Sequence, residues 1–378
     1  MRHNTMYAKI FTKIIVIVFI SFLCISSEIM AKGYPRFPRG IRPLGMGGAY
    51  TAVADGQDAL FYNPAGLSVM NETKKKEPRF LVGLFNPMFA VSDRCIDLLN
   101  DSLDADMNDS TQITDIFRDY IGDHQHLRFS FIPHVGYTVS RFGMMVGVLG
   151  QETVDVGIHN PVWPEIDLDF VQDTGILIGF GYRSEMIEHL RVGAAFKYIY
   201  RESLQGTYTP TDIASNAFEN SIENDKYEGS GRSVDLGLMY RLPFSQPNFI
   251  AEFGAILQNY PEMDMGDAVD AETQINMGLA FKTKISAIKI TGTLDYHDVT
   301  YAIDYDNDLP KRLHMGIEFG FLQSIFLRTG LNQGYITAGL ALDKRVVKFD
   351  LVTYGEEVGA YAGQKEDRRF VLKITLGW

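Results

Sequence analysis

A chain of 378 residues that is 46% hydrophobic and 12% aromatic carries a formal net charge of −12. That acidity argues against any nucleic-acid partner, because phosphate binding needs a basic surface. Two cysteines exclude a disulfide framework, and the length suits one all-β barrel as well as two or three soluble domains.

Residues 1–31 read as a secretory signal peptide. Arg2, Lys9 and Lys13 precede an apolar run from Ile14 to Ile25, and small and polar residues follow up to Ala31. The run is shorter than the roughly 20 residues a membrane-spanning helix needs, so cleavage near Ala31 is expected. Leu23 stands where a lipoprotein cleavage site before Cys24 would want a small residue. Removal of three basic residues and one acid takes the net charge from −12 to −14. Cys95 is then alone, which rules out an internal disulfide.

Segment 32–78 precedes the first strand and is too short to be a self-sufficient domain. It carries Gly45, Gly47 and Gly48, then Phe61-Tyr-Asn-Pro-Ala-Gly-Leu67. The glycines fit neither a dinucleotide fingerprint nor a phosphate-binding loop, so close backbone packing is expected of them. Asn63 can turn or cap the backbone, Pro64 fixes φ near −65°, and Gly66 permits a conformation closed to other residues. Taken alone, Asn63, Pro64, Ala65 and Gly66 make an ordinary turn.

From residue 79 onward the chain alternates apolar and polar residues in segments of roughly ten, the period of a strand with two different faces. Fourteen such segments lie near 79–90, 127–140, 142–151, 167–183, 189–201, 231–242, 248–258, 273–284, 287–297, 311–320, 323–331, 333–343, 346–355 and 368–378. The connections alternate in length. Short turns at 140–141, 184–188, 243–247, 286, 322–323 and 344–345 separate longer loops near 91–126, 152–166, 202–230, 259–272, 298–310 and 356–367. Only the expected long loop at 332–334 is missing. An even strand number with short turns on one rim is the pattern of a transmembrane β-barrel. A soluble β-sandwich shares the period but would bury its apolar faces and need not alternate its loops. The longest loop, 91–126, has apolar spacing that predicts short amphipathic helices.

Alternation places Lys289, Asp295, Glu318, Arg328, Lys348, Asp350 and Lys373 away from lipid. A lumen of mixed charge is expected to hold paired ions that brace the wall. In the last strand, Phe370, Leu372, Ile374, Leu376 and Trp378 share the opposite face, with an aromatic end that resembles the signal read by the barrel-assembly machinery.

Arg42-Pro-Leu-Gly-Met-Gly-Gly-Ala-Tyr-Thr-Ala-Val-Ala-Asp55 followed by Phe61 to Leu67 resembles the amino-terminal signature of the FadL-like outer-membrane superfamily, which includes PorV-like and conjugal-transfer TraF-like proteins. The resemblance implies a 14-stranded antiparallel transmembrane β-barrel over 79–378 with an intraluminal hatch over 32–78. It gives Asn63, Pro64 and Ala65 the role of a hatch motif buried against the inner wall. It implies passive uptake of hydrophobic or amphipathic small molecules. The alternative is a sealed barrel that docks secretion or conjugation proteins, which the phrases His159-Asn-Pro-Val162 and Leu98-Leu-Asn-Asp101 favour.

Catalytic, metal and cofactor sites are not expected. There is no nucleophile elbow, no paired metal-ligand spacing among the eight histidines, and the acidic run 304–308 lacks the Gly and Glu of a calcium loop, having Leu309 and Met315 instead. Outer-membrane lipid and the barrel-assembly machinery are the expected partners, with a hydrophobic small molecule or secretion-system proteins beside them, and the cell outer membrane is the expected location.

Overall fold

The computed structural model describes residues 39–71, 79–105, 109–215, 218, 226–246, 248–302, 308–322, 324–344, 346–359 and 361–377. The expected signal peptide 1–31, the terminal Trp378 and most of the acidic run 304–308 lie outside these residues. The alternating segments form one closed antiparallel sheet of fourteen strands. Among the described residues no helix is long and apolar enough to cross a membrane.

The first two strands are each broken at a proline. β1 consists of Arg79–Phe85 and Met88–Ser92, and β2 of His124–Phe131 and His134–Val139. The others are β3 (Phe142–His159), β4 (Glu165–Arg183), β5 (Leu190–Tyr208), β6 (Tyr227–Arg241), β7 (Phe249–Tyr260), β8 (Gln274–Ile285), β9 (Ile288–Tyr296), β10 (Leu313–Phe321), β11 (Ile325–Asn332), β12 (Tyr335–Asp343), β13 (Val347–Glu357) and β14 (Glu366–Gly377). Each strand pairs with its neighbour in sequence, and β14 returns to β1 through Arg369↔Ser92 and Gly83↔Gly377. Closure leaves no unpaired edge.

The two faces separate as the period of two requires. Phe80, Phe142, Val148, Ile176, Phe180, Phe281, Leu327 and Leu351 stand exposed on the outside, a continuous apolar band far beyond the patches soluble monomers carry. Aromatic pairs Phe80–Tyr137 and Phe142–Tyr182, with centroids 5.0 and 4.8 Å apart, lie at the short-turn rim, as in the girdles of membrane barrels.

Two expected loops are corrected. Residues 152–159 and 165–166 are strand, and β3 and β4 pair without interruption from Phe142↔Tyr182 to His159↔Glu165. The expected loop 152–166 is therefore only the turn 160–164, and 202–230 shrinks because β5 and β6 run on past it. These ends lose the greasy outer face that marks a lipid-facing strand, but pairing with a neighbour needs only backbone. The hairpins project beyond the rest of the long-loop rim. Helices α1 (Cys95–Asp104) and α2 (Ser110–Asp119) form in the longest loop as its spacing predicts, and Ile113, Phe117 and Tyr120 pack against Ile158 of β3.

At the broken strands the ladder is mended by a side chain. Pro87 and Pro133 supply no N–H, and β1 carries one residue more than β2 between Gly83↔His134 and Met88↔Ser130. The buried amide of Asn86 takes the place of the missing backbone. Its Oδ1 accepts from the Ile132 N–H at 2.8 Å and its Nδ2 donates to the Ile132 carbonyl. Asn86→Ala takes the partner from the buried Ile132 N–H and leaves the Ile132 carbonyl with His134 Nδ1 alone, at 3.0 Å, and is expected to destabilise the barrel by about 1–3 kcal/mol. Amide hydrogen exchange at Ile132 checks this, and an exchange rate equal to that of the parent would contradict it.

Candidate functional site

The lumen is filled by residues 39–71. Short helices at Ile41–Gly45, Gly56–Asp58, Ala59–Tyr62 and Pro64–Asn71 are joined by turns, because no stretch between the glycines and Pro64 is long enough for a regular helix. Gly47 and Gly48 have φ of +65° and +85°, and a Cβ on Gly47 would lie 2.2 Å from the carbonyl oxygen of Met315 on β10. Backbone conformation and close approach to the wall both demand glycine there. Gly45 is held less tightly: a Cβ there would lie 3.1 and 3.2 Å from side-chain carbons of Arg328 and Val352.

Asn63 is fully buried. Its Nδ2 donates to the carbonyls of Thr51, Leu238 and Ala255 at 2.9, 3.0 and 3.3 Å, and its Oδ1 accepts from the Ala65 N–H at 3.2 Å. One side chain thus joins two turns of the segment to β6 and β7. Pro64 and Ala65 lie against Gly193 of β5, and Pro64 also touches Gly237 of β6. Gly66 differs from expectation: its φ is not positive. It is needed because a Cβ would sit 2.0 Å from the carbonyl oxygen of Ala54.

The lumenal charges meet in a chain. Arg42 of the segment makes a bidentate pair with Glu318 of β10, 2.8 Å to each oxygen, while its other nitrogen reaches Asp55 and the Tyr50 hydroxyl at 2.8 Å. Glu318 also accepts from Arg328 of β11 at 2.7 Å, and Arg328 reaches Asp350 of β13 at 2.9 Å. Lys348 stands 3.5 Å from Asp350. Asp295 of β9 accepts from the backbone N–H groups of Tyr50 and Thr51, both at 2.7 Å, and His314 donates to the Gly47 carbonyl at 2.7 Å. Lys373 is buried nearby in the lumen, whereas Lys289 is exposed at the short-turn end of β9 and outside the chain of pairs. On β14, Phe370, Ile374 and Leu376 are exposed on the outer face and Leu372 is half-buried there.

Alternation alone could have found further lumenal ions. Arg191 pairs with Glu252 at 3.0 Å, Lys197 with Asp235 at 2.7 Å and Arg201 with Asp173 at 2.7 Å; these lie on β4 to β7, all within segments read as strand. Arg42 and Asp55 belong to an irregular segment, where no period reports which way a side chain points.

The lumen is not charged throughout. Met145 and Leu149 of β3, Leu177 of β4 and Ile199 of β5 point inward and pack with Leu60, Phe61 and Leu67 of the segment. Met263, Met265, Ala268 and Ala271 fold in from the connection after β7 and join the same cluster. An apolar patch on β3 to β5 therefore shares the lumen with ion pairs that occur both beside it, at Arg191, Lys197 and Arg201 of β5, and along β10 to β13. Outside the barrel, burial pushes the Cys95 thiol up to about 12, followed by the charges of Asp367 and Asp155, so it stays protonated and unreactive at neutral pH.

An outline of this kind is matched by solved structures. The toluene transporter TbuX of Ralstonia pickettii superposes with a TM-score of 0.53 over 89% of this chain and 98% of that chain, at 10% identity. The fold is that of this transporter's β-barrel. The Pseudomonas putida toluene transporter TodX gives a TM-score of 0.47 at 13% identity over 90% of this chain and 97% of that chain. A Pseudomonas aeruginosa FadL homologue gives 0.38 at 11% identity over 90% and 99%. No protein-family model and no curated protein sequence matches the chain. At such identities the likeness is one of architecture, and function has to be argued from the residues.

Proposed function

We propose that this protein is a non-enzymatic outer-membrane channel for passive uptake of hydrophobic or amphipathic small molecules, with residues 39–71 as its hatch. The observation that carries this reading is the apolar patch in the lumen. Met145, Leu149, Leu177 and Ile199 line it, Leu60 and Leu67 of the hatch fill it, and Met263 and Met265 cover it from the long-loop rim. A wall built only to be braced would be served by its ion pairs alone and would need no apolar patch facing the lumen. A greasy strip covered by flexible methionines suits a path along which apolar molecules slide once the hatch shifts. The exposed apolar band on the outer face is then the lipid contact, the short turns face the periplasm, and the long loops face outward. The outward face of β14, with Phe370, Leu372, Ile374 and Leu376, is the segment offered to the barrel-assembly machinery.

The sealed alternative rests on Arg42. Its pairs with Asp55 inside the hatch and Glu318 in the wall, both 2.8 Å, tie the hatch to the barrel as a permanent plug would be tied, and the projecting hairpins would then be a docking surface for secretion or conjugation proteins. Uptake of labelled toluene and fatty acids into proteoliposomes separates the two. Saturable uptake by the parent protein, changed several-fold in the Asn63→Ala/Pro64→Ala variant, is expected. Absence of uptake by both, with folding shown by heat-dependent gel mobility, would overturn the channel and favour the docking role.

A further inference from the structure

Two histidines stack beside residues 39–71 at the long-loop end of β9 and β10. His314 lies directly opposite Asp295 in the sheet register, so both side chains point inward. His297 stands one residue past β9, and its ring lies on that of His314 with centroids 4.0 Å apart and planes 28° from parallel. Together with Asp295 they hold residues 47–51. His314 Nδ1 donates to the Gly47 carbonyl at 2.7 Å, and Asp295 Oδ2 accepts from the Tyr50 and Thr51 N–H groups, both at 2.7 Å. His297 Nε2 makes no hydrogen bond and stands 3.6 Å from that same Asp295 oxygen.

The charges around the stack decide what a proton does there. Asp298, in the connection after β9, is buried and engaged by Arg312. Arg39 of the lumenal segment is engaged by Glu356 of β13 at 2.6 and 2.9 Å. From β11 the residue opposite His314 is the neutral Asn332, and from β8 the neutral Asn276 accepts from the Asp298 N–H. Among the described residues Asp295 is therefore the carboxylate left to meet an imidazolium. It can neutralise one ring, whereas two charged rings at this separation repel. Burial pushes the His297 imidazole down to about 3, followed by the charge of Arg39, with Asp298 opposing.

We propose that His297, His314 and Asp295 form a proton-operated latch that holds residues 47–51 while both rings are neutral and releases them in acid. A proton on His297 draws Asp295 away from the Tyr50 and Thr51 N–H groups, and a second on His314 sets two like charges face to face. Both rings regain water when the segment leaves, so protons favour the released state. A free imidazole titrates at about 6.5. Docking is thus fully stabilised above that value and weakens as the pH falls towards the docked value of His297, by up to about tenfold per pH unit for each ring. The latch rests on the reading of residues 39–71 as a hatch, and not on what the channel carries.

The test is amide hydrogen exchange of the full-length protein in lipid vesicles at about pH 7 and about pH 4, read at Tyr50 and Thr51 and along β4. His297→Phe and His314→Asn variants are measured beside the parent, so that the intrinsic pH dependence of exchange cancels. Phe keeps the stack without a proton, and Asn keeps a donor near the place of Nδ1 without a charge, so both variants should stay docked. Relative to them, exchange at Tyr50 and Thr51 in the parent is expected to rise at least tenfold at about pH 4 and to recover at about pH 7, with β4 unchanged. A parent that matches both variants at about pH 4 would overturn the latch, because any release would then belong to Asp295 alone. Loss of protection along β4 at the same pH would overturn it too, since the barrel itself would be opening. Fast exchange at Tyr50 and Thr51 already at about pH 7 would instead sink the hatch reading beneath it.

Discussion

Valine at both Gly193 and Gly254 is expected to expel residues 39–71 from a barrel that otherwise assembles. A Cβ on Gly193 would lie 2.3 Å from the Ala65 nitrogen and the Pro64 carbonyl carbon, and one on Gly254 would lie 2.5 Å from the Thr51 carbonyl oxygen. These neighbours are backbone, which cannot rotate aside as a long side chain could. Overpacking of this kind costs typically 1–3 kcal/mol per site, and here two sites act on one short segment. The strands themselves lose nothing, since valine suits a strand better than glycine. Limited proteolysis should cleave within 39–71 at least tenfold faster than in the parent, and single-channel conductance in a planar bilayer should rise by about an order of magnitude, as expected for an emptied lumen of a 14-stranded barrel. If both remain at parental values, the segment does not sit against β5 and β7 in the membrane, and the hatch reading goes with it.

Glu318→Ala is expected to be the most damaging single change in the lumen. Glu318 is buried and shared by Arg42 and Arg328, at 2.8 and 2.7 Å. Its loss leaves two guanidiniums short of a partner. Breaking a buried pair in this way costs about 3–5 kcal/mol. Because Arg42 keeps Asp55 and Arg328 keeps Asp350, the lower end of that range is expected. The double variant Glu318→Leu/Arg328→Met removes acid and base together, so it should lose less than the sum of the single changes, which is the mark of coupled residues. Urea midpoints of protein reconstituted in lipid vesicles measure both. Strict additivity would mean that lumenal water, rather than Glu318, satisfies the arginines.

The Asn86 seam shows what alternation can and cannot report. Met88 to Ser92 and Arg79 to Phe85 read as one strand near 79–90, and they are one strand in the sheet. That Asn86 would bond both backbone groups of Ile132 is invisible in sequence, since the two residues are 46 positions apart and meet only when β1 and β2 pair. The lumenal residues divide in the same way. Glu318, Arg328, Asp350 and Asp295 were placed inward by counting in twos, but Arg42, which pairs with Glu318, lies in an irregular segment with no period to count. The apolar patch in the lumen was missed for a related reason: Leu149 or Leu177 facing inward looks, in sequence, like any other apolar residue of a strand.

By itself the sequence determined a closed barrel of fourteen strands, the inward or outward aspect of most strand residues, and the resemblance of residues 42–67 to a FadL-like amino terminus. These are local properties, because a strand's faces follow from a period of two that each segment carries within itself. Only the tertiary structure decided where the strands β3 to β6 end, which ions pair, and that an apolar patch shares the lumen with them. Each of those depends on register and on chain brought together from distant positions, and no local pattern encodes a contact whose two halves are chosen independently.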